Sequence, residues 1–101
     1  MAVVFFAESK HKKVYLSLPG SVACHVLIAL DYDIETVARE AQLKPEDVLL
    51  RIAVVRRQFS LGCGREFTSD EVNGRQMLAH LQELEKVAVR AKTVGRNVVL
   101  L

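Results

Sequence analysis

The sequence has only two cysteines, Cys24 and Cys63, and no long hydrophobic run. Two cysteines in a chain large enough to build its own core do not make a disulfide scaffold, so both are expected to be reduced thiols. The longest mainly apolar run, Val22 to Leu30, is far shorter than the roughly 20 residues that a membrane-spanning helix needs. The short apolar stretch at the N-terminus follows no basic segment, unlike a secretory signal. We therefore expect a soluble, cytoplasmic protein that does not contact a membrane.

Catalytic and metal-binding motifs are also missing. The chain has no phosphate-binding GxxxxGK[ST] loop, no GxGxxG, no HExxH and no serine in a nucleophile elbow. The side chains that could bind zinc are too few and too scattered for a recognised spacing; they are Cys24, His25, Cys63, His11 and His80. The sequence therefore predicts no catalytic residue, no metal site and no cofactor, and we do not expect an enzyme.

The composition is that of a folded chain. Half of the residues are hydrophobic and 26% are charged, which is not typical of disorder. A chain of 101 residues buries about 65% of its surface on folding, enough for one core, so we predict a single domain over residues 1–101. The net charge of +2 permits contact with polyanions but does not require it.

The N-terminal region has the pattern of a β-hairpin. Residues 2–7 are mostly β-branched or aromatic, and residues 14–18 alternate between apolar and polar. The tip between them carries Lys10, Lys12 and Lys13 beside His11. Such a cluster is either a solvated turn kept soluble by its charge or a surface that contacts phosphate groups.

Four helices are predicted, at about 22–30, 34–42, 45–59 and 70–92. Ser21 is the expected N-cap of the first helix. This helix is apolar nearly all round, so we expect it to be buried centrally, with Cys24 as a small buried residue and His25 in the core or at its boundary.

The second and third helices meet at a break that is encoded locally. Asp33 is a good N-cap for the second helix. Pro45 fits the first position of the third helix, where its missing N–H costs nothing. Glu46 and Asp47 then lie in the first turn, and Arg56 and Arg57 in the last, the order that the helix dipole favours.

The last helix has the clearest amphipathic pattern. Thr68 and Glu71 form a capping box before it, and Gly95 marks its end. Its stripe consists of Met77, Leu81, Leu84, Ala88 and Ala91. The stripe packs either on the domain's own core or on a second copy of the chain. The final NVVLL reads as a strand that adds to the N-terminal hairpin. We therefore predict an α+β fold, with four helices on a small antiparallel sheet.

The segment from Thr36 to Ile52 resembles the helix-turn-helix superfamily of DNA-binding domains in the spacing of its residues. Ala38 matches the small residue that lets the second helix of that family pack closely. The other apolar positions in phase are Val37, Ala41, Leu43 and Val48. The resemblance implies that residues from Lys44 to Arg51 face the major groove of DNA as a recognition helix does.

Two functions are open on this reading. The first is a small dimeric DNA-binding protein that regulates transcription and contacts double-stranded DNA with basic residues on the hairpin tip and the central helices; these are Lys10, Lys12, Lys13, Lys44, Arg51, Arg56 and Arg57. The second is a protein-interaction module, an adaptor or an inhibitor, that binds a partner protein through an apolar helix face. The expected interface residues, which also suit a homodimer, are Leu50, Val54, Leu81 and Leu84.

Overall fold

The computed structural model describes residues 2–7, 14–60 and 74–100, which form the α+β fold that the sequence predicts. In chain order the elements are β1 (Ala2–Ala7), β2 (Val14–Pro19), α1 (Gly20–Ala29), α2 (Ile34–Glu40), β3 (Gln42–Leu43), α3 (Pro45–Ser60), α4 (Gly74–Thr93) and β4 (Val98–Leu100). Three predictions lie outside the described residues: the basic hairpin tip, Cys63 as a reduced thiol, and the capping box of Thr68 and Glu71.

The four strands form one antiparallel sheet in the order β2, β1, β4, β3. The predicted hairpin is confirmed, since β1 pairs with β2 along its whole length. The predicted C-terminal strand is also confirmed, and it pairs with β1 of the same chain, with Phe6 opposite Val99. The sequence reading missed β3, which pairs with the other edge of β4 and places Leu43 opposite Val98.

The core lies between one face of this sheet and the helices. Alternate strand residues are buried on that face; they are Phe5, Ala7, Leu18, Val98 and Leu100. Helices α1 and α4 pack on the sheet, and α3 packs on α4. The alternation sends Phe6 and Val99 to the opposite face, where both are half-buried. The sheet thus gives one face to the core, and the helices form the second layer.

Helix α2 starts as predicted but ends two residues early. Asp33 caps it by accepting a hydrogen bond from the Glu35 backbone N–H at 3.1 Å. The predicted end at residue 42 is wrong because Ala41 adopts a left-handed conformation with φ of 54°. The carbonyl of Ala41 accepts the Leu100 N–H at 2.8 Å, so the chain leaves the helix to join the sheet.

Helix α1 departs from the prediction in two ways. Its N-cap is Pro19 and no side chain caps it, so the assignment of Ser21 as N-cap is wrong: strand β2 runs directly into the helix at Gly20. Cys24 is exposed rather than buried. The helix buries Ala23, Val26, Leu27 and Ala29 on the side that meets the rest of the domain. Cys24 and Ile28 lie one turn apart on the other side, where both are exposed.

Helices α3 and α4 agree closely with their patterns. Pro45 is the first residue of α3, with Glu46 and Asp47 in its first turn and Arg57 in its last. Helix α4 ends at Thr93, and Gly95 takes a φ of 70°, the left-handed conformation that glycine adopts at little cost. The two long helices pack side by side, and this contact positions the outer surface of α3.

Candidate protein-binding surface on helices 1 and 3

The predicted basic surface is only partly assembled among the described residues. Lys10, Lys12 and Lys13 lie outside them. Lys44 and Arg57 are exposed at opposite ends of α3. The other two predicted cations, Arg51 and Arg56, are half-buried and engaged with carboxylates and backbone.

Arg51 ties α3 to the end of α1. Its Nε lies 3.0 Å from Oδ2 of Asp47, one turn earlier on the same helix. Its Nη1 donates to the carbonyl oxygens of Leu30 at 2.9 Å and Asp31 at 2.8 Å. These carbonyls belong to the C-terminal end of α1, where a positive charge is favourable. Arg51 therefore acts in this structure as a capping residue for a neighbouring helix.

Tyr32 completes the same cluster. Its hydroxyl donates to Asp47 Oδ2 at 2.9 Å, and the guanidinium carbon of Arg51 lies 4.3 Å from the centre of its ring. Burial raises the pKa of the Tyr32 hydroxyl well above its usual value, and the hydrogen bond to Asp47 raises it further. The tyrosine therefore stays neutral and holds the segment between α1 and α2 against α3.

Arg56 links the two long helices. Its guanidinium forms an ion pair with the carboxylate of Glu85 on α4, and both side chains are about 37% exposed. A charge already neutralised in this way has less attraction left for a phosphate group. Arg57, the next residue along α3, is exposed.

The central helix pair differs in two respects from the arrangement that the helix-turn-helix resemblance implies. Ala38, expected beneath the second helix, is exposed. The connection between α2 and α3 contains β3, so its backbone is used by the sheet. The resemblance remains a hypothesis based on spacing.

The four predicted interface residues separate into two pairs. Leu81 and Leu84 on α4 are completely buried in the chain's own core, because the stripe of α4 packs within the domain. The prediction that these two leucines belong to an intermolecular interface is therefore corrected. Leu50 and Val54 on α3 are 66% and 50% exposed. They lie one turn apart and form a continuous apolar strip on the outside of the molecule.

The strip borders a groove between the end of α1 and α3. Ile28, which is 60% exposed, stands on the α1 side, opposite Leu50 and Val54. The groove has a volume of about 490 Å³, and Leu30 and Val55 are among its lining residues. Asp47 and Arg51 border it with charges that already neutralise each other. We call this feature, which Ile28, Leu50 and Val54 border, the α1–α3 groove.

Sequence reasoning missed Ile28 and the bonding of Arg51. A helix that is apolar all round was expected to be buried all round, but among the described residues α1 packs against the sheet and the other helices on one side only. Nothing in the sequence pattern shows that Arg51 reaches carbonyls 20 and 21 residues away.

Two other features bear on the class of site. In the part of the chain that the structure describes, no three His, Cys, Asp or Glu side chains lie close enough together to hold a metal ion. Within residues 2–7, 14–60 and 74–100, every helix is too short or too polar to cross a membrane. No protein-family model, no curated protein and no solved structure matches this chain.

Proposed function

We propose that this chain is a protein-interaction module, an adaptor or an inhibitor, that binds an apolar helix of a partner protein in the α1–α3 groove. The observation that carries the proposal is the joint exposure of Ile28, Leu50 and Val54 around one groove. Contiguous exposed apolar side chains mark interaction sites on soluble proteins, because covering them removes apolar surface from water.

The shape of the surface favours a helix as the bound element. Leu50 and Val54 are four residues apart, about 6 Å along the axis of α3. A partner helix presents apolar anchors at the same three- and four-residue intervals, and its ridge of side chains fits a groove between two helices. Two of the charges that border the groove, those of Asp47 and Arg51, are paired with each other, so they do not demand a polar partner.

DNA binding is the rival proposal. It draws on Lys44 and Arg57, which are exposed, and loses support from Arg51 and Arg56, whose charges are shared with Asp47 and Glu85. The two functions differ in their response to salt. Contacts to phosphates weaken steeply as salt rises, whereas an apolar contact weakens little or tightens.

The test starts from a photo-crosslinking amino acid placed at Leu50, with the same substitution at Val89 as the control. A protein crosslinked from Leu50 but not from Val89 is purified and titrated against the whole chain at low and high salt. The titration is repeated with Val54→Asp and Val89→Asp. These two valines are 50% and 48% exposed on different helices, so they are matched for residue type and exposure.

We expect Val54→Asp to weaken binding by about tenfold or more and Val89→Asp to leave it unchanged, with little effect of salt. Equal loss in both variants, or equal crosslinking from both positions, would overturn the proposal. Fluorescence anisotropy with duplex DNA is measured alongside. Salt-sensitive DNA binding that Val54→Asp does not alter, together with no protein partner, would favour the rival.

A further inference from the structure

We propose that the exposed outer face of α3, beside the α1–α3 groove, binds a second copy of this chain, with the two α3 helices antiparallel across a two-fold axis. The inference rests on the proposed function, because it names the partner for the same surface. It starts from the exposed ridge of α3, which consists of Glu46, Leu50, Ala53 and Arg57. The spacings along this ridge are four, three and four residues, which is the spacing of a coiled-coil seam.

The order of residues along the ridge makes it complementary to itself when reversed. In an antiparallel pair with Leu50 opposite Ala53 of the second copy, Glu46 lies opposite Arg57 of the second copy. Both pairs share one midpoint, between residues 51 and 52, so one two-fold axis satisfies both. Such an isologous contact repeats each pairing twice.

Both pairings are favourable. The large side chain of Leu50 faces the small one of Ala53, which allows the helices to approach closely. The carboxylate of Glu46 faces the guanidinium of Arg57 at each end, where the contact meets solvent. A parallel pair would instead place each of these charges opposite its own copy, so repulsion selects the antiparallel arrangement.

The α1–α3 groove completes one side of this seam. Val54 lies beside Leu50 on the α1 side of the ridge, and Ile28 stands across the groove from both. The α3 helix of the second copy covers Leu50 directly. Its own Val54 lies on the same side of the seam as Val54 of the first copy. The interface therefore has an aliphatic centre and charged ends, the usual anatomy of a protein contact.

The self-association is tested by sedimentation equilibrium of the whole chain over a range of concentrations. We expect a reversible dimer for the wild type and for Val89→Asp, and a monomer for Val54→Asp over the same range. Circular dichroism melting of each variant reports on folding. Val54 and Val89 are 50% and 48% exposed, so Val89→Asp is the matched control, and the melting curves show whether either variant has lost stability.

Charge reversal then tests the register. In the antiparallel pair, Glu46→Arg and Arg57→Glu each create two repulsive contacts, and each is expected to weaken association by roughly three- to tenfold. The double variant restores both attractive contacts and is expected to dimerise like the wild type. A parallel pair predicts a different result, in which neither single variant is weaker than the wild type.

The possible outcomes separate this inference from the proposed function. A wild-type chain that stays monomeric while a different protein crosslinks to Leu50 overturns the inference and leaves the proposed function standing. A dimer that Val54→Asp does not disrupt overturns the inference and shows that the two copies meet elsewhere. A dimer weakened in both single charge variants and restored in the double variant supports the antiparallel register.

Discussion

The two long helices, α3 and α4, have similar amphipathic patterns but differ in how much of their apolar surface is buried. The stripe of α4 is completely buried in the domain; its members are Met77, Leu81, Leu84, Ala88 and Ala91. Helix α3 also buries a stripe, with Val48, Ile52 and Val55, yet it carries further aliphatic side chains on its outer side. Those extra residues, rather than the stripe itself, form the surface that we propose binds a partner.

Exposed aliphatic residues also occur on α4, and their arrangement sharpens the comparison. Leu78 is 38% exposed and Val89 is 48% exposed. They are separated by three turns, about 16 Å along the helix axis, so each is isolated. Single exposed apolar residues are ordinary on protein surfaces. Leu50 and Val54 adjoin one another and face Ile28 across a groove, so these three exposed aliphatic side chains are clustered.

The largest expected effect comes from deleting one leucine on each helix. Leu84→Ala should lower the free energy of unfolding by about 2–5 kcal/mol, because it leaves a cavity in the core. Leu50→Ala should change it by less than about 0.5 kcal/mol, because water already reaches that side chain. Urea denaturation of dilute protein measures both values. Similar losses in the two variants would mean that Leu50 is not a surface residue.

A second pair of substitutions separates a structural arginine from a surface arginine on α3. Arg51→Ala should lower the free energy of unfolding by about 1–3 kcal/mol, because the carbonyls of Leu30 and Asp31 and the carboxylate of Asp47 lose their donor. Arg57→Ala is the control and should cost less than about 0.5 kcal/mol. Thermal or urea unfolding measures the loss of stability in each variant. A larger loss for Arg57→Ala than for Arg51→Ala would contradict the structural role of Arg51.

Tyr32→Phe tests the same cluster with a smaller expected effect and a pH dependence. Loss of the hydrogen bond to Asp47 should cost about 0.5–1.5 kcal/mol at neutral pH. Because the folded state raises the pKa of Tyr32 above its usual value near 10, the unfolded chain loses this proton first. The stabilisation is therefore complete below pH 10 and declines as the pH rises above it.

The measurement is the difference in urea midpoint between wild type and Tyr32→Phe at neutral pH and above pH 10. The wild type should lose more stability on the alkaline side than the variant, which lacks this titrating hydroxyl. A difference that grows in favour of the wild type as the pH rises would contradict the assigned hydrogen bond.

The smallest effect is expected for Lys86→Ala on α4. Lys86 Nζ lies 3.1 Å from Glu83 Oε1 in an ion pair whose side chains are more than half exposed. Exposed pairs of this kind contribute little, so the free energy of unfolding should change by less than about 0.5 kcal/mol. A larger loss, measured by urea denaturation, would show that this ion pair stabilises the fold more than its exposure predicts.

Local signals in the sequence were sufficient for most of the fold. Pro45 marks the start of α3, Asp33 caps α2, and Gly95 ends α4, because each acts through its own backbone or the adjacent turn. The period-two pattern of the hairpin likewise depends only on neighbouring residues. Strand β3 could not be found in this way: it has two residues, and it exists because β4, more than 50 positions later in the chain, offers a free edge.

The candidate site was predictable in part for the same reason. Leu50 and Val54 lie off the buried stripe of α3, so periodicity alone places them outside. Ile28 required knowledge of how many layers cover α1, which is a property of the whole fold. The engagement of Arg51 and Arg56 was also out of reach, because their partners come from α1 and α4.

The most direct test of the outer α3 surface is an amide NMR spectrum of the wild-type chain recorded on serial dilution. Association through this surface predicts concentration-dependent shifts for the amides around Leu50, Ala53 and Val54, with those around Val89 unchanged. Spectra that do not change with concentration, or that change mainly on α4, would contradict a self-association surface on α3.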